Sequence, residues 1–325
     1  MSKTSLDLDD FVIEPISGAI PHGAAAEALA AAQDPLGPLG KLRGKWEGRG
    51  FNQIWRPFDG LQRQPQQDRF LELNETAEVL KFVEIPGDIP NRGLLQIDIN
   101  LHGLTYLQRI SDVNVLTNGK PTGIHIEPGI WIRVPGTTNP QDPETVARLA
   151  NIPHGTSLVS QGTATSGIIP LLFPAVDITP FVIGQPANLI HFPETDLSKA
   201  TQFRTPPADI PHVTQQMVDN PSVVLAAGIA GKTIKSVTQL TISTSDLNPP
   251  TSGGGTSNIA FLTGAGEKPN AQAAQMDATF WISDFIDTKG YPGLQLQYSQ
   301  RVLLNFNGLS WPHVSVATLL KVPEE

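Results

Sequence analysis

The chain has 325 residues, of which 39% are hydrophobic and 16% charged, and it contains 29 Gly and 29 Pro. This excess of turn-forming residues favours many short strands and long loops over long helices. The net charge of -9 argues against nucleic acid as a partner, and the lack of cysteine excludes disulfides, thiolate nucleophiles and iron–sulfur clusters.

The N-terminal region predicts an arm rather than a targeting segment. Its first ten residues, MSKTSLDLDD, lack the apolar stretch of a signal peptide, and the chain has no apolar run of about 18 residues that would cross a bilayer. We therefore expect a cytoplasmic protein with no membrane partner. Residues 1–40 also carry a short helical pattern at 24–33, ended by Asp34-Pro35. We interpret 1–40 as an arm on a single domain, 41–325.

Segments with β-type alternation begin after Gly44 and are separated by Gly, Pro and Asn turns, including Asn118-Gly119. The predicted strands are 45–55, 69–85, 92–101, 103–110, 123–134, 232–245, 258–262, 274–281, 294–306 and 312–322. About ten such strands predict a mainly β protein, an antiparallel barrel that can enclose one small ligand.

Residues 136–230 interrupt this pattern with many prolines and few alternations, which predicts a long Pro-rich insertion. Within it, 143–150 and 211–220 could each be a short helix. The run 226–233 is similar to a phosphate-binding loop, but β-type residues follow it where that loop needs a helix, so we interpret it as a turn entering a strand. Residues 253–255 are expected to be a flexible loop tip.

The first motif is G-x-W-x-G-x-G at Gly44–Gly50, at the start of the first predicted strand. Glycines at alternate positions let a strand bend sharply, while the indole of Trp46 fills the end of a barrel. This pattern predicts a structural role for Trp46.

The second motif, Gly123–Arg133, places His125 and Glu127 two residues apart in a strand. Since side chains alternate with a period of two, both point to the same face. That face is either the barrel interior, where the pair would be a catalytic candidate, or the solvent side; the pattern favours neither.

The third motif is the C-terminal run Gly308–Leu320, where His313, Ser315 and Ala317 share one face of a strand. Small residues beside the histidine leave room for a flat macrocycle, and imidazole is a good iron ligand. By spacing alone, however, a single strand histidine is more often structural.

In these three motifs, and in their order, the chain resembles the nitrobindin family of heme-binding barrels, which are similar to fatty-acid-binding proteins in fold. The resemblance covers roughly 40–135 and 232–322. It implies heme b, with His313 as the ligand of ferric iron, Ile124 and His125 on the distal side, and Leu303, Ser315 and Ala317 around the cofactor. The family's Pro-Thr-Ile turn is replaced here by Asn52-Gln53-Ile54.

The resemblance further implies nitric oxide binding and isomerisation of peroxynitrite, with peroxidase activity as a weaker expectation in which His125 or Glu127 moves the peroxide proton. Peroxidases usually have a carboxylate behind the proximal histidine, and none lies near His313 in sequence. We therefore rank the first two activities higher. The expected partners are these small molecules, and a homodimer is left open.

The alternative is a carrier that binds a fatty acid or another apolar molecule without chemistry. Such a cavity would need a buried Arg or Tyr to hold a carboxylate, and Arg109, Arg133 and Arg301 lie on predicted strands. The remaining histidines lack metal-ligand spacing, which argues against a zinc site, and we interpret each as a surface loop residue: His22, His102, His154, His191 and His212.

Overall fold

A computed structural model describes residues 34–58, 68–167, 171–249, 251–265 and 268–323. The predicted helix at 24–33 lies outside the described residues. The strands are β1 (Gly44–Pro57), β2 (Arg69–Glu84), β3 (Ile89–Asn91), β4 (Ile99–Thr117), β5 (Lys120–Val134), β6 (Thr137–Thr138), β7 (Gln141–Asp142), β8 (Thr145–Ile152), β9 (Thr156–Ser166), β10 (Phe181–Val182), β11 (Gln185–Leu189), β12 (Thr233–Ser243), β13 (Gly253–Asn258), β14 (Gln272–Ile286), β15 (Pro292–Phe306) and β16 (Leu309–Val322). The helices are α1 (Gln215–Asp219), α2 (Ser222–Gly228) and α3 (Ala260–Thr263).

Ten strands form a closed antiparallel barrel, which confirms the predicted fold class. The order around the ring is β1-β2-β4-β5-β8-β9-β12-β14-β15-β16, and β16 pairs with β1 from Lys45↔Val322 to Ile54↔His313. Closure leaves the ring without an unpaired edge. It also gives the chain an inner and an outer face along its whole circumference.

The structure corrects the strand predictions at two places, 92–101 and 258–262. It also shows that two strands of the ring, β8 and β9, lie in the segment that was predicted to be an insertion. Residues 92–98 are irregular and 260–263 are helical, whereas β8 and β9 lie within 136–230. Prolines at 143 and 153 flank β8 without entering it, so they mark turns rather than a loop or the predicted helix at 143–150. Residues 253–255, predicted as a loop tip, belong to β13, which pairs with β9 outside the ring.

Three local predictions are confirmed. Asn118 and Gly119, with φ of 53° and 75°, form the tight turn between β4 and β5. The run at 226–233 leaves α2 and enters β12, as expected for a turn before a strand. Helix α1 lies inside the predicted helical segment 211–220. None of the helices in the described ranges is long and apolar enough to span a membrane.

One end of the barrel is filled by apolar side chains. Leu36, Leu39 and Leu42, in and beside a 3-10 helix at Gly37–Leu42, are buried against the indole of Trp46, whose Nε1 donates to the Leu42 carbonyl at 2.7 Å. This confirms the structural role of Trp46. The neighbouring Gly48 is required by close packing, because a Cβ there would lie 2.0 Å from the Thr318 carbonyl oxygen.

The segment after β9 packs on the outside of the barrel. Its apolar residues, including Ile178, Val218 and Leu225, are buried against the outer faces of β1, β14 and β16. Trp55 Nε1 donates to the Ile178 carbonyl at 2.9 Å, and Gln297 Nε2 donates to the Leu225 carbonyl at 2.8 Å. This wall is therefore buried on both faces, and the segment acts as an outer layer.

Candidate functional site

The barrel holds a cavity of about 350 Å³ at the end opposite the Trp46 plug. That volume lies within the range of small-molecule sites, roughly 300–1,000 Å³. Most of the wall is apolar, with Ile54, Ile110, Ile124 and Leu304 among the residues that line it, and the exposed Pro57 lies at the rim. The described lining residues come from ring strands, the turn before β9, β13, α3 and residue 271, and none from 171–232. The outer layer therefore does not cap the cavity.

His313 projects into this cavity from β16, beside Ile54 on β1 and Val302 on β15. Desolvation, helped by the charges of His125 and His154, lowers the pKa of His313 to about 3. The imidazole is thus neutral at physiological pH and keeps a nitrogen lone pair for a ligand bond. Its Nε2 lies 3.4 Å from the Ser315 hydroxyl.

The other predicted cofactor residues divide into two groups. Ile124, His125 and Ser315 line the cavity. The predictions for Leu303 and Ala317 are corrected: Leu303 lies on the opposite face of β15 from the lining residues Val302 and Leu304, and Ala317 is buried in the packed core deeper in the barrel. Leu303 points away from the cavity because side chains alternate along β15. Ala317 does not reach the cavity because it lies deeper in the barrel along β16.

A bulge brings two adjacent residues of β5 to the cavity. Ile110 pairs with His125 and Ser111 pairs with Gly123, so Ile124 is the extra residue on the bulged strand. Bulges redirect side chains next to binding sites. Here the bulge allows both Ile124 and His125 to line the cavity, which regular alternation would forbid.

In the second motif, His125, Glu127 and Gly129 have a common physical explanation in the barrel interior. His125 and Glu127 face inwards, and His125 Nε2 lies 3.3 Å from Glu127 Oε2. Gly129 makes room for the Tyr106 ring, since a Cβ at 129 would lie 2.5 Å from a ring carbon. The Tyr106 hydroxyl uses that space to donate to the Glu127 carboxylate. Of the two faces left open by the sequence, the inner one is therefore correct.

Arg148 on β8 completes this buried cluster. Its guanidinium forms an ion pair with Glu127, donates through Nε to the Tyr106 hydroxyl at 2.9 Å and donates through Nη1 to Gln300 Oε1 at 2.6 Å. Burial would raise the pKa of Glu127, but the charge of Arg148 and the contacts with His125 and Tyr106 outweigh it and lower that pKa to about 2. Glu127 is therefore a fixed anion.

A second buried carboxyl group lies near the first and has a different environment. Glu78 accepts hydrogen bonds from Tyr298, Gln108 and Thr76, all neutral groups. Desolvation outweighs these hydrogen bonds and raises the pKa of Glu78 to about 7. Tyr298 and Gln108 line the inner end of the cavity, which we call the floor.

Sequence reasoning missed several of these residues, among them Arg148, Glu78 and Tyr298. Arg148 was placed in the insertion, and Glu78 and Tyr298 carry no motif; the inward positions 146, 148 and 150 of β8 were the one available signal. His154 is an exposed residue in the turn between β8 and β9, as predicted for a loop histidine, yet its ring lies at the cavity rim, 6.0 Å from the ring of His125.

The remaining histidines and arginines named from the sequence lie elsewhere. His191 and His212 are exposed in the outer layer, and His22 lies outside the described residues. Arg109 is exposed, Arg133 pairs with Glu144 and Arg301 pairs with Asp277. His102 lies 3.7 Å from Asp88.

The cavity residues are compatible with a heme. A neutral imidazole, the small side chain of Ser315 beside it and an apolar wall are what a proximal heme site requires. Asn52 adds a buried amide whose Oδ1 has no hydrogen-bond partner and which lines the same cavity. Within the described ranges, no group of three or more His, Asp or Glu side chains is arranged to hold a metal ion directly.

No protein-family model matches the sequence, and no curated protein matches it.

Proposed function

We propose that the cavity binds heme b through His313 and that the protein senses or converts nitric oxide, peroxynitrite or a peroxide. The observation that carries the proposal is the neutral imidazole of His313 in an apolar cavity that His125 also lines. The closed ten-strand barrel and the three motifs in nitrobindin order are in keeping with a nitrobindin-like protein.

The proposal assigns a role to each residue around the ligand. Ferric heme would supply an open coordination position for a diatomic or peroxidic ligand. His313 would hold the iron as a neutral ligand, and the wall at Ile124 and Ile110 would limit access of water. His125 would hold or move a proton, oriented by Glu127.

Glu127 is a poor proton acceptor in this scheme, because Arg148 keeps it ionised. His313 contacts the Ser315 hydroxyl rather than a carboxylate. A carboxylate on the second ring nitrogen makes a proximal histidine electron-rich. Among the described residues no carboxylate is hydrogen-bonded to His313, which favours nitric oxide binding or isomerisation over peroxidase turnover.

The proposal is tested by heme reconstitution of the wild-type chain, His313→Ala and, as a matched control, His191→Ala on the outer layer. We expect a stoichiometric Soret band in the wild type and in the control, and its loss in His313→Ala with an unchanged circular dichroism spectrum. Equal Soret bands in all three proteins would remove His313 as the ligand, and no band in any of them would refute heme binding.

An apolar carrier is the second candidate, favoured by the largely apolar cavity wall. A carboxylate ligand would need a cation, and the two arginines that line the cavity are already paired, Arg148 with Glu127 and Arg56 with Glu72. The carrier reading is therefore restricted to uncharged ligands. Displacement of a neutral environment-sensitive dye from the heme-free protein, unaffected by His313→Ala, would support it over heme binding.

A further inference from the structure

The barrel interior contains two buried carboxyl groups in opposite electrostatic settings. Glu127 is paired with Arg148, whereas Glu78 contacts uncharged donors. Both side chains are almost fully buried, with residue exposures of 1% and 2%. When two nearby acids are separated in this way, one remains ionised while the other is able to carry a proton.

The surroundings of Glu78 are built around its carboxyl group. The Tyr298 hydroxyl lies 2.9 and 2.8 Å from the two carboxyl oxygens, and Gln108 Nε2 lies 3.2 Å from Oε2 and 3.1 Å from the Tyr298 oxygen. Gly50 on the facing strand leaves the necessary space, because a Cβ there would lie 2.9 Å from Glu78 Oε1. Gly50, the last glycine of the first motif, therefore makes room for this carboxyl group.

Tyr298 connects this buried carboxyl group to the cavity. Its side chain lines the floor, while Glu78 lies behind it and does not line the cavity. When Glu78 is ionised, the Tyr298 hydroxyl donates to its carboxylate. When Glu78 is protonated, its carboxyl O–H donates to the Tyr298 oxygen instead, and the phenol O–H is available to a ligand in the cavity. Because Tyr298 contacts the Glu78 carboxyl group and also lines the cavity, it offers a direct route for a proton from Glu78 to a ligand.

We propose that Tyr298 and Glu78 form a proton-transfer pair that delivers a proton to an oxygen atom of a ligand in the cavity. The Tyr298 O–H proton passes to the ligand oxygen as the Glu78 carboxyl proton passes to the Tyr298 oxygen. The ligand gains one proton, Tyr298 is unchanged and Glu78 becomes a carboxylate, which water later reprotonates. Tyr298 is the catalytic residue of the pair and Glu78 is its proton source.

The pair selects ligands with an oxygen that carries or develops negative charge, such as a peroxide or peroxynitrite. This choice of substrate class rests on the proposed function, but the proton pair itself does not. The titratable groups that face Glu78 are Tyr298 on β15 and His125 on β5, and Arg148 and Glu127 act on Tyr298 from the neighbouring cluster. The titration of Glu78 must therefore be measured in the wild type and also in a variant of the neighbouring cluster, such as Glu127→Gln.

Infrared difference titration of the heme-free protein tests whether Glu78 holds an exchangeable proton. We expect a protonated-carboxyl band that disappears with a midpoint near pH 7, is lost in Glu78→Gln and persists in Glu127→Gln. A titration in which Glu127→Gln removes the band and Glu78→Gln does not would overturn the proposal, as would the absence of any such band.

Hydrogen–deuterium exchange of the same band at pH 5 tests the route through Tyr298. We expect Tyr298→Phe to slow the exchange on the order of tenfold or more. Thr76→Val removes another hydrogen bond to Glu78, at 3.3 Å, without altering the cavity, and is expected to exchange at the wild-type rate. Equal rates in wild type and Tyr298→Phe would exclude Tyr298 as the route. Because no heme is present, failure of heme binding leaves both results interpretable.

Discussion

Glu127 and Arg148 form an ion pair inside the barrel, with side chains that are 1% and 3% exposed. Their desolvation is offset by hydrogen bonds that Tyr106 and Gln300 make with the pair, at the carboxylate and the guanidinium respectively. Each charge is therefore tolerated only while the other is present. This pair divides the polar interior into a fixed, charged part and the neutral part around Glu78.

Replacing Arg148 by Met should strongly destabilise the protein, because it leaves Glu127 as an uncompensated buried charge. We expect a loss of about 3–5 kcal/mol in the free energy of unfolding by urea at pH 7. The double variant Glu127→Leu with Arg148→Met should recover part of this loss. Arg301→Met, which breaks the half-exposed pair with Asp277, is the control and should cost about 1 kcal/mol or less. Equal losses for the two single variants would contradict this account.

The pKa of Glu78 predicts a specific pH dependence of stability. Its value is raised from 4.5 to about 7 on folding, so the folded protein binds the extra proton between these values. Stability from this group is greatest below the unfolded value and falls as the pH rises towards 7, by about 3 kcal/mol in total. Glu78→Gln should therefore be more stable than the wild type at pH 8 and not at pH 4.

Urea denaturation of both proteins at a series of pH values measures this difference. Taking the difference removes the contribution of other groups, such as His313, whose lowered pKa makes stability rise with pH between about 3 and 6.5. A difference that does not change with pH would show that Glu78 has an ordinary pKa.

Leu225→Ala should separate the outer layer from the cavity. Leu225 is fully buried between α2 and the barrel wall, so the substitution should cost about 2–5 kcal/mol of unfolding free energy. Ligand or heme affinity of the folded protein should stay at the wild-type value. Ile124→Ala is the complementary variant, because Ile124 lines the cavity. It should weaken the binding of heme or another ligand and lower the free energy of unfolding only slightly. Loss of binding in folded Leu225→Ala would mean that the outer layer shapes the site.

The imidazole rings of His125 and His154 are neighbours at the cavity, with centroids 6.0 Å apart. His154 is exposed as a residue, but its ring lies at the cavity rim, where partial desolvation and the charge of His125 lower its pKa. His125→Ala should therefore move the pKa of His154 upwards. Two-dimensional NMR of the imidazole protons in the heme-free protein measures this shift. His191→Ala in the outer layer should leave the titration of His154 unchanged, and an unchanged His154 in His125→Ala would separate the two rings.

Local patterns in the sequence predicted much of the barrel because they depend on neighbouring residues. Alternation located β1, β2, β5 and most of the C-terminal strands, and placed His125 and Glu127 on one face. Alternation failed to predict β8. The charged Arg148 lies between Val146 and Ala150 on the inward face of this strand, so that face does not look apolar in the sequence. The bulge at Ile124 depends on the register with β4, which one strand alone does not contain.

The sequence by itself determined the β-rich class and the strand period, since both follow from residue type and spacing. His313 became a candidate ligand through the three motifs, their order and the resemblance to the nitrobindin family that they imply. Only the tertiary structure decided which polar residues share the interior. Glu78 meets Tyr298 across 220 positions of the chain, and Arg148 meets Gln300 across 152. Ring closure brings them together and excludes water. Desolvation then raises the pKa of Glu78, whereas the charge of Arg148 and the contacts with His125 and Tyr106 keep Glu127 ionised.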